Sequence, residues 1–93
     1  MTLEIVSPEY KIFSGIVTSV AAPGVDGSFQ ILNNHAPIVS ILTKGNVIIE
    51  AETFKFSKES EHLFEKYSDR KYNLLINSGT LEMKDNKIII LVD

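Results

Sequence analysis

The chain has 93 residues, a 44% hydrophobic share and a formal net charge of −3, a size and composition typical of one ordered globular domain. The mild negative charge offers no basic footprint for nucleic acid or an anionic membrane surface, and the absence of cysteine excludes disulfides, thiolate nucleophiles and cysteine-based metal sites. No apolar run approaches the roughly 18 residues of a membrane span, and the early acid Glu4 argues against a signal peptide and for a cytoplasmic location.

Alternating or β-branched runs separated by turn residues predict short strands from the start of the chain to about residue 56. The runs fall at residues 3–5, 17–22, 29–32, 47–50 and 54–56. Pro23-Gly24 and Asp26-Gly27 predict turns between them. Because side chains alternate along a strand, Phe29 and Ile31 should share one face, with Gln30 on the other.

Residues 57–68 have a different pattern, with many charges and few apolar side chains. Leu63, Phe64 and Tyr67 have the spacing of one helical face. Ser57 is suited to cap the start of such a helix. The pattern therefore predicts one short surface helix or a charged loop.

The last third of the chain returns to β patterning. Residues 72–76 alternate, and Ser78-Gly79 predicts a turn. Asp85-Asn86 is placed to connect two strands of a hairpin. Residues 88–92 are apolar at every position, which predicts a central strand covered on both faces. Together the segments predict a mainly β fold, a β-sandwich or flattened barrel of about ten strands.

No group of residues has the spacing of a catalytic or metal site. The two histidines, His35 and His62, lack the close helical spacing of metal ligands. The stretch from Pro23 to Gly27 lacks the lysine of a phosphate loop. We therefore predict no enzyme activity, no cofactor and no metal. His35, which precedes Ala-Pro, is interpreted as part of a turn or of a partner interface.

Several motifs follow one another in an order that resembles the epsilon subunit of the rotary F-type ATP synthase. Their order along the chain is Ser7-Pro8-Glu9, Phe13-Ser14-Gly15, Pro23-Gly24, Gly27-Ser28-Phe29, His35-Ala36-Pro37, Leu42 to Val47, Gly79-Thr80-Leu81-Glu82 and Asn86 to Asp93. The match covers residues 3–50 and 74–93. The resemblance implies a single β-sandwich domain over residues 1–93, like the N-terminal domain of that subunit.

What the resemblance implies is a non-catalytic subunit of the central stalk. Such a subunit links the gamma subunit to the c-ring, couples ion flow to ATP synthesis and reaches the membrane only through the complex, on the cytoplasmic face of the bacterial inner membrane. Carried over by position, Ser7, His35 and Ser40 would face gamma. The loop facing the c-ring would contain the residues Asp26, Gly27, Ser28 and Phe29.

The chain departs from the family pattern in five respects. Asn34 stands where glycine is usual, but asparagine tolerates left-handed backbone next best. Ser28 replaces a common acid and Gln30 a common glycine, and residues 52–72 form a longer segment than usual. The two-helix hairpin that follows in many members is expected to be absent. The alternative hypothesis is a free-standing β-sandwich adaptor that binds another protein.

Overall fold

The computed structural model describes residues 1–93 and confirms a mainly β fold of ten strands. The strands are β1 (Thr2–Val6), β2 (Lys11–Ile16), β3 (Ser19–Gly24), β4 (Gly27–Leu32), β5 (Ile38–Leu42), β6 (Gly45–Glu50), β7 (Phe64–Ser68), β8 (Lys71–Ile76), β9 (Gly79–Lys84) and β10 (Lys87–Val92). One turn of 3₁₀ helix covers Glu61–Leu63. No helix in the chain has the length and apolar character needed to cross a bilayer.

The strands form one sheet that curls into two layers. Its order is β2-β1-β10-β9-β5-β3-β6-β8-β7, and β4 pairs with β3 beside this path. We call β2-β1-β10-β9-β5 the first layer and β4-β3-β6-β8-β7 the second. Only Gly24 and Leu42 pair where β3 meets β5, so the curl occurs at this junction.

The core lies between the layers, and the alternation of the strands fills it. Leu3, Ile5, Leu81, Ile88 and Ile90 come from the first layer and are fully buried. The second layer contributes buried side chains with the same alternation, among them Val20, Ile31, Val47 and Ile49. Each strand therefore has an inner apolar face and an outer face. Ile31 is buried and Gln30 exposed, as predicted for β4.

Two predicted turns are confirmed in backbone detail. Asp85 and Asn86 have φ angles of 52° and 58°, and Lys84 pairs with Lys87, so they form a two-residue hairpin with the positive φ values of a type I′ turn. Asn34 has a φ of 63°, the left-handed conformation expected of the residue before His35.

The prediction of a short helix or charged loop over residues 57–68 agrees with the structure for residues 57–63 but not for residues 64–68. Residues 57–60 form a turn, the 3₁₀ helix follows, and residues 64–68 are the strand β7 rather than a helix or loop. Phe64 pairs with Leu74 of β8 and packs on the core, whereas Tyr67 is 58% exposed. The three apolar side chains therefore share no helical face, because pairing with β8 determines the local structure.

The prediction that β10 is covered on both faces is wrong. The strand is central, since it pairs with both β1 and β9, and Ile88, Ile90 and Val92 point inward. Ile89 is half-buried, however, and Leu91 is 52% exposed. The outer face of the first layer is thus uncovered and partly apolar.

Two smaller predictions also need correction. Pro23 and Gly24 belong to the end of β3, and the turn itself is Val25-Asp26, since Gly24 pairs with Gly27. Residues 54–56 form no strand. Their side chains nevertheless alternate, with Phe54 and Phe56 packed on the core and Lys55 exposed.

Candidate interaction surfaces

The outer face of the first layer shows a row of mostly apolar side chains that crosses four strands. Strand register places Val6 beside Leu91, Leu91 beside Thr80 and Thr80 beside Ile41. Neighbouring Cβ atoms in such a row lie about 5 Å apart, so the side chains form a continuous stripe. We call these four residues, together with Val39 on the same face of β5, the apolar stripe.

The apolar stripe is open to solvent. Val39 is 75% exposed, Ile41 62% and Leu91 52%. Single exposed apolar residues are common, but a continuous group across several strands is typical of a protein interface. Sequence analysis did not identify this group, because in a run of apolar residues an outward-facing Leu91 cannot be distinguished from an inward-facing one.

The row of side chains next to the apolar stripe, on the same outer face, contains charged residues. The next row places Glu4 beside Ile89, Ile89 beside Glu82, and Glu82 beside Val39. Glu4 contacts two lysines, with its carboxylate oxygens 3.9 Å from Lys11 Nζ and 3.7 Å from Lys87 Nζ. Glu82 is exposed and takes part in no ion pair. The two acids of this row therefore differ in how far their charge is compensated.

Ser7 and His35, predicted to face one partner, lie at opposite ends of the first layer. Ser7 follows Val6, the last residue of β1 and the partner of Leu91, whereas His35 precedes the start of β5. The Ser7 hydroxyl donates to the Tyr10 carbonyl at 3.0 Å and accepts from the Tyr10 amide at 3.2 Å. Ser7 thus closes the turn between β1 and β2.

Ser40 lies between the two exposed residues of β5 but points the other way. It pairs with the buried Leu81, and its own hydroxyl donates to the Ile41 carbonyl at 3.3 Å. Ser40 is half-buried. A partner on the outer face would meet Val39 and Ile41 before it met Ser40.

The loop that carries His35 is held by neighbouring asparagines. The Asn34 amide donates to Asn86 Oδ1 at 2.8 Å, and the His35 amide donates to the Leu32 carbonyl at 3.2 Å. His35 Nδ1 donates to the Ala36 carbonyl at 2.7 Å. The imidazole is exposed, so His35 combines a fixed backbone with a ring accessible to a partner.

The Asn86 side chain should stabilise this end of the first layer in two ways. Asn86 has a φ of 58°, a left-handed conformation that asparagine adopts more easily than alanine does. Replacing Asn86 with alanine therefore strains the backbone, and it also removes the hydrogen bond to the Asn34 amide. We expect Asn86→Ala to lower the free energy of unfolding by about 1–2 kcal/mol. Asn86→Gly keeps the backbone and removes only the hydrogen bond, so it should cost less than about 1 kcal/mol. Urea unfolding measures both, and equal losses would contradict the backbone contribution.

The four residues predicted to face the c-ring are divided between surface and core. Asp26, Gly27 and Ser28 are exposed at the turn between β3 and β4. Phe29 is half-buried and packs on the core. Gly27 has a φ of 125°, a conformation that favours glycine. The exposed tip therefore consists of three of the four residues, together with Val25, which is 56% exposed and which sequence analysis missed.

A second turn lies beside this tip. The Val25 amide donates to the Ile41 carbonyl at 3.0 Å, and the Thr43 amide donates to the Pro23 carbonyl at 2.8 Å. These bonds hold the turn between β5 and β6, with the exposed Lys44, next to the turn between β3 and β4. One end of the molecule thus presents Asp26 and Lys44 on adjacent rigid turns.

The remaining depressions are shallow. One open groove of about 370 Å³ lies on the outer face of the second layer, with Ile48, Tyr67 and Lys71 in its lining. Another, of about 220 Å³, lies beside Glu82 on the first layer. No three His, Asp or Glu side chains are placed to hold a metal ion.

The known proteins that are similar to this chain come from ATP synthases. The family model described as ATP synthase, Delta/Epsilon chain, beta-sandwich domain, matches residues 1–93. The ATP synthase epsilon chain of Chlorobium limicola is 40% identical over 91 residues, which are 98% of this chain and 86% of that one. The epsilon chain of Chlorobaculum tepidum is 37% identical and covers 99% of this chain and 88% of its own length.

Two further similarities involve longer proteins. The chain spans 56% of the ATP synthase epsilon chain of Pelotomaculum thermopropionicum, at 31% identity. A cryo-EM structure described as the central stalk and c-ring of the Tetrahymena thermophila mitochondrial ATP synthase contains a similar chain, with a TM-score of 0.65 and 21% identity. The similarity covers 99% of this chain and 62% of that one, and at this identity it shows the fold.

Proposed function

The chain belongs to the ATP synthase delta/epsilon chain family, and on that premise we propose that it is a non-catalytic subunit of the central stalk, in contact with the gamma subunit and the c-ring. Residues 1–93 act as one stiff β-sandwich that rotates with both partners. Ion flow through the membrane part is thereby coupled to ATP synthesis. The subunit works on the cytoplasmic face of the bacterial inner membrane and reaches the membrane through the complex.

The observation that carries this proposal is the uncovered apolar stripe on the first layer. A free-standing domain of this size gains stability by covering apolar side chains, whereas Val39, Ile41 and Leu91 remain exposed. Aliphatic side chains on a rigid sheet can form the desolvated centre of an interface. We assign the apolar stripe to the gamma subunit.

This assignment changes which residues are expected to contact gamma. His35 is exposed before the start of β5, and Ser7 closes the turn after β1, so the two lie at opposite ends of the first layer. Ser40 points away from that face and contributes through the backbone of β5, which holds Val39 and Ile41 in place. The proposed contact surface is thus centred on side chains that neighbour the predicted ones.

The c-ring contact is assigned to the turn between β3 and β4. Asp26, Gly27 and Ser28 are exposed there, and Val25 adds an apolar side chain. Phe29 holds the turn from inside, packed against the core. The turn adjoins the end of the stripe, since the Val25 amide donates to the Ile41 carbonyl at 3.0 Å, so the two proposed contacts would be neighbours on the subunit.

Co-expression with the gamma subunit from the same genome tests the proposal. We expect the two chains to elute together in size-exclusion chromatography as a one-to-one complex, because the stripe offers an apolar centre for association. A folded chain that elutes alone in the presence of folded gamma would contradict the stalk assignment. That result would favour the adaptor hypothesis.

A further inference from the structure

The two layers end in the edge strands β2 and β5 of the first layer and β4 and β7 of the second. An edge strand exposes main-chain amides and carbonyls, and charged residues, proline or bulges normally prevent another chain from pairing with it. β2 begins with Lys11, and its pairing with β1 is irregular. β7 contains Glu65 and Lys66, and its pairing with β8 is irregular as well. Both strands are therefore protected edges.

The edge of β5 is blocked at both ends. Pro37, just before the strand, has no amide to donate. At the other end the turn between β3 and β4 lies against the strand, because the Val25 amide donates to the Ile41 carbonyl at 3.0 Å. The part of this edge that stays free is thus too short to pair with another strand.

β4 has none of these protective features. It runs from Gly27 to Leu32, contains no charged residue and no proline, and pairs with β3 alone without a register shift. Its alternate residues Ser28, Gln30 and Leu32 are exposed. β4 is therefore the unprotected edge of the sheet.

The direction of the main-chain groups of β4 follows from the hydrogen bonds of β3. The Val25 amide and the Pro23 carbonyl both form hydrogen bonds on the β5 side of β3. Main-chain groups alternate in direction along a strand, so Gly24, which lies between these two residues, faces β4 and pairs with Gly27.

The same alternation, continued along β4, points the amides and carbonyls of Ser28, Gln30 and Leu32 away from the sheet. The Leu32 carbonyl agrees with this direction, since it accepts from the His35 amide at 3.2 Å outside the sheet. No main-chain hydrogen bond outside the strands involves Ser28 or Gln30. Their main-chain groups are thus free to pair with another strand.

Both ends of β4 are held in place. The bond from Val25 to Ile41 holds the turn before the strand. After the strand, Asn33 Oδ1 accepts from the Met1 ammonium group at 2.7 Å, and the Asn34 amide donates to an asparagine side chain at 2.8 Å. A rigid edge loses little conformational entropy when a second strand pairs with it.

The edge is complementary to a second copy of itself. In an antiparallel pair about a two-fold axis at Gln30, Gln30 lies opposite Gln30 of the other copy, and Ser28 lies opposite Leu32. All the outward-facing main-chain groups then meet groups that face them. A two-fold axis also places each side chain near its own copy, where like charges would repel, but these three side chains carry no charge.

We propose that the chain outside the complex forms a dimer in which the β4 strands of two copies pair antiparallel, with Gln30 at the axis. The second layers of the two copies then form one continuous sheet. The apolar stripe is not part of this contact, because it lies on the outer face of the first layer. The exposed turn at Asp26, assigned above to the c-ring, lies beside the end of the other copy's β4, so the dimer and the c-ring contact exclude each other.

The absence of cysteine allows a direct test by cross-linking. Gln30→Cys places the thiols of the two copies at the axis, where the Cα atoms of a hydrogen-bonded antiparallel pair lie about 5.5 Å apart, within disulfide range. Leu75→Cys is the matched control, because Leu75 is 63% exposed in the same layer but lies on β8. Under mild oxidation Gln30→Cys should form a covalent dimer at least about tenfold faster than Leu75→Cys, since only its thiols are held at that distance.

Sedimentation velocity tests the dimer without a cross-link. The parent chain should show a reversible equilibrium between monomer and dimer as its concentration rises. Gln30→Lys puts like charges opposite each other at the axis and should weaken the dimer about fivefold or more, while leaving the affinity for gamma unchanged. Ile41→Asp should do the reverse, so the dimer and the stalk assignment are tested separately. Circular dichroism verifies that each variant is folded.

The proposal is overturned if the parent chain sediments as a monomer at every concentration, or if both cysteine variants cross-link at the same rate. Loss of the dimer in Ile41→Asp with retention in Gln30→Lys would overturn it too, because the contact would then be the apolar stripe. Weaker binding of gamma by Gln30→Lys, with no effect on self-association, would show that the β4 edge receives a strand of gamma instead.

Discussion

Replacing Ile41 with aspartate should abolish stable association with the gamma subunit while leaving the domain folded. Ile41 is 62% exposed at one end of the apolar stripe, so its side chain contributes little to the isolated fold. In the proposed complex it would be buried among apolar groups, where an unpaired carboxylate is costly. We expect binding to weaken by at least about 2 kcal/mol, the lower limit for an interface hot spot.

The measurement is the dissociation constant for gamma by titration calorimetry. A loss of about 2 kcal/mol corresponds to roughly thirtyfold in the constant. Leu91→Asp, on the neighbouring part of the stripe, should have a comparable effect. Thermal unfolding of each variant alone should stay close to that of the parent chain, because both positions face solvent.

Leu75→Asp is the matched control. Leu75 is 63% exposed on β8, in the second layer, and the substitution is chemically equivalent. It should leave the affinity for gamma unchanged. Loss of binding in Leu75→Asp with retention in Ile41→Asp would transfer the docking surface to the second layer.

The sequence predicts this fold well wherever local chemistry determines the structure. Asp85-Asn86 forms the expected hairpin and Asn34 the expected left-handed residue, because few backbone conformations suit these residues in a tight connection. Strand alternation likewise places Ile31 inside and Gln30 outside. Each of these predictions depends on residues close together in the chain.

Contacts between distant residues account for what the sequence did not predict. Phe64 belongs to a strand because it pairs with Leu74, although its local pattern is helical. The parallel pairing of Ile5 with Ile90 joins the two ends of the chain and has no local signal. The direction of Leu91 follows from that pairing. The apolar stripe, and with it the candidate site, therefore became recognisable only in three dimensions.

Five aromatic rings close the seam where the curled sheet brings its terminal strands together. They are Phe13, Phe54, Phe56, Phe64 and Tyr72. Phe13 comes from β2 and Phe64 from β7, with ring centroids 6.1 Å apart. Phe54 and Phe56 come from the irregular segment between β6 and β7. This segment, whose role the sequence leaves open, thus supplies part of the core.

Phe56 makes the most extensive contacts in this cluster. Its ring centroid lies 4.5 Å from that of Phe64 and 4.9 Å from that of Tyr72. It also lies 5.5 Å from Phe54 and 5.9 Å from Phe13. Aromatic pairs at these separations add stability beyond the burial of their area.

Replacing Phe56 with alanine should therefore destabilise the domain strongly. The side chain is half-buried, so we expect a loss of about 2–3 kcal/mol, below the full cost for a buried phenylalanine. In a domain of this size such a loss lowers Tm by about 10–15 °C. Differential scanning calorimetry of Phe56→Ala and the parent chain gives the value directly.

Lys55→Ala provides the control, because Lys55 belongs to the same irregular segment and its side chain is exposed. It should change the free energy of unfolding by less than about 0.5 kcal/mol. Phe56→Leu, which keeps most of the apolar volume, should fall between the two. Equal Tm values for Phe56→Ala and Lys55→Ala would show that the segment adds nothing to the core.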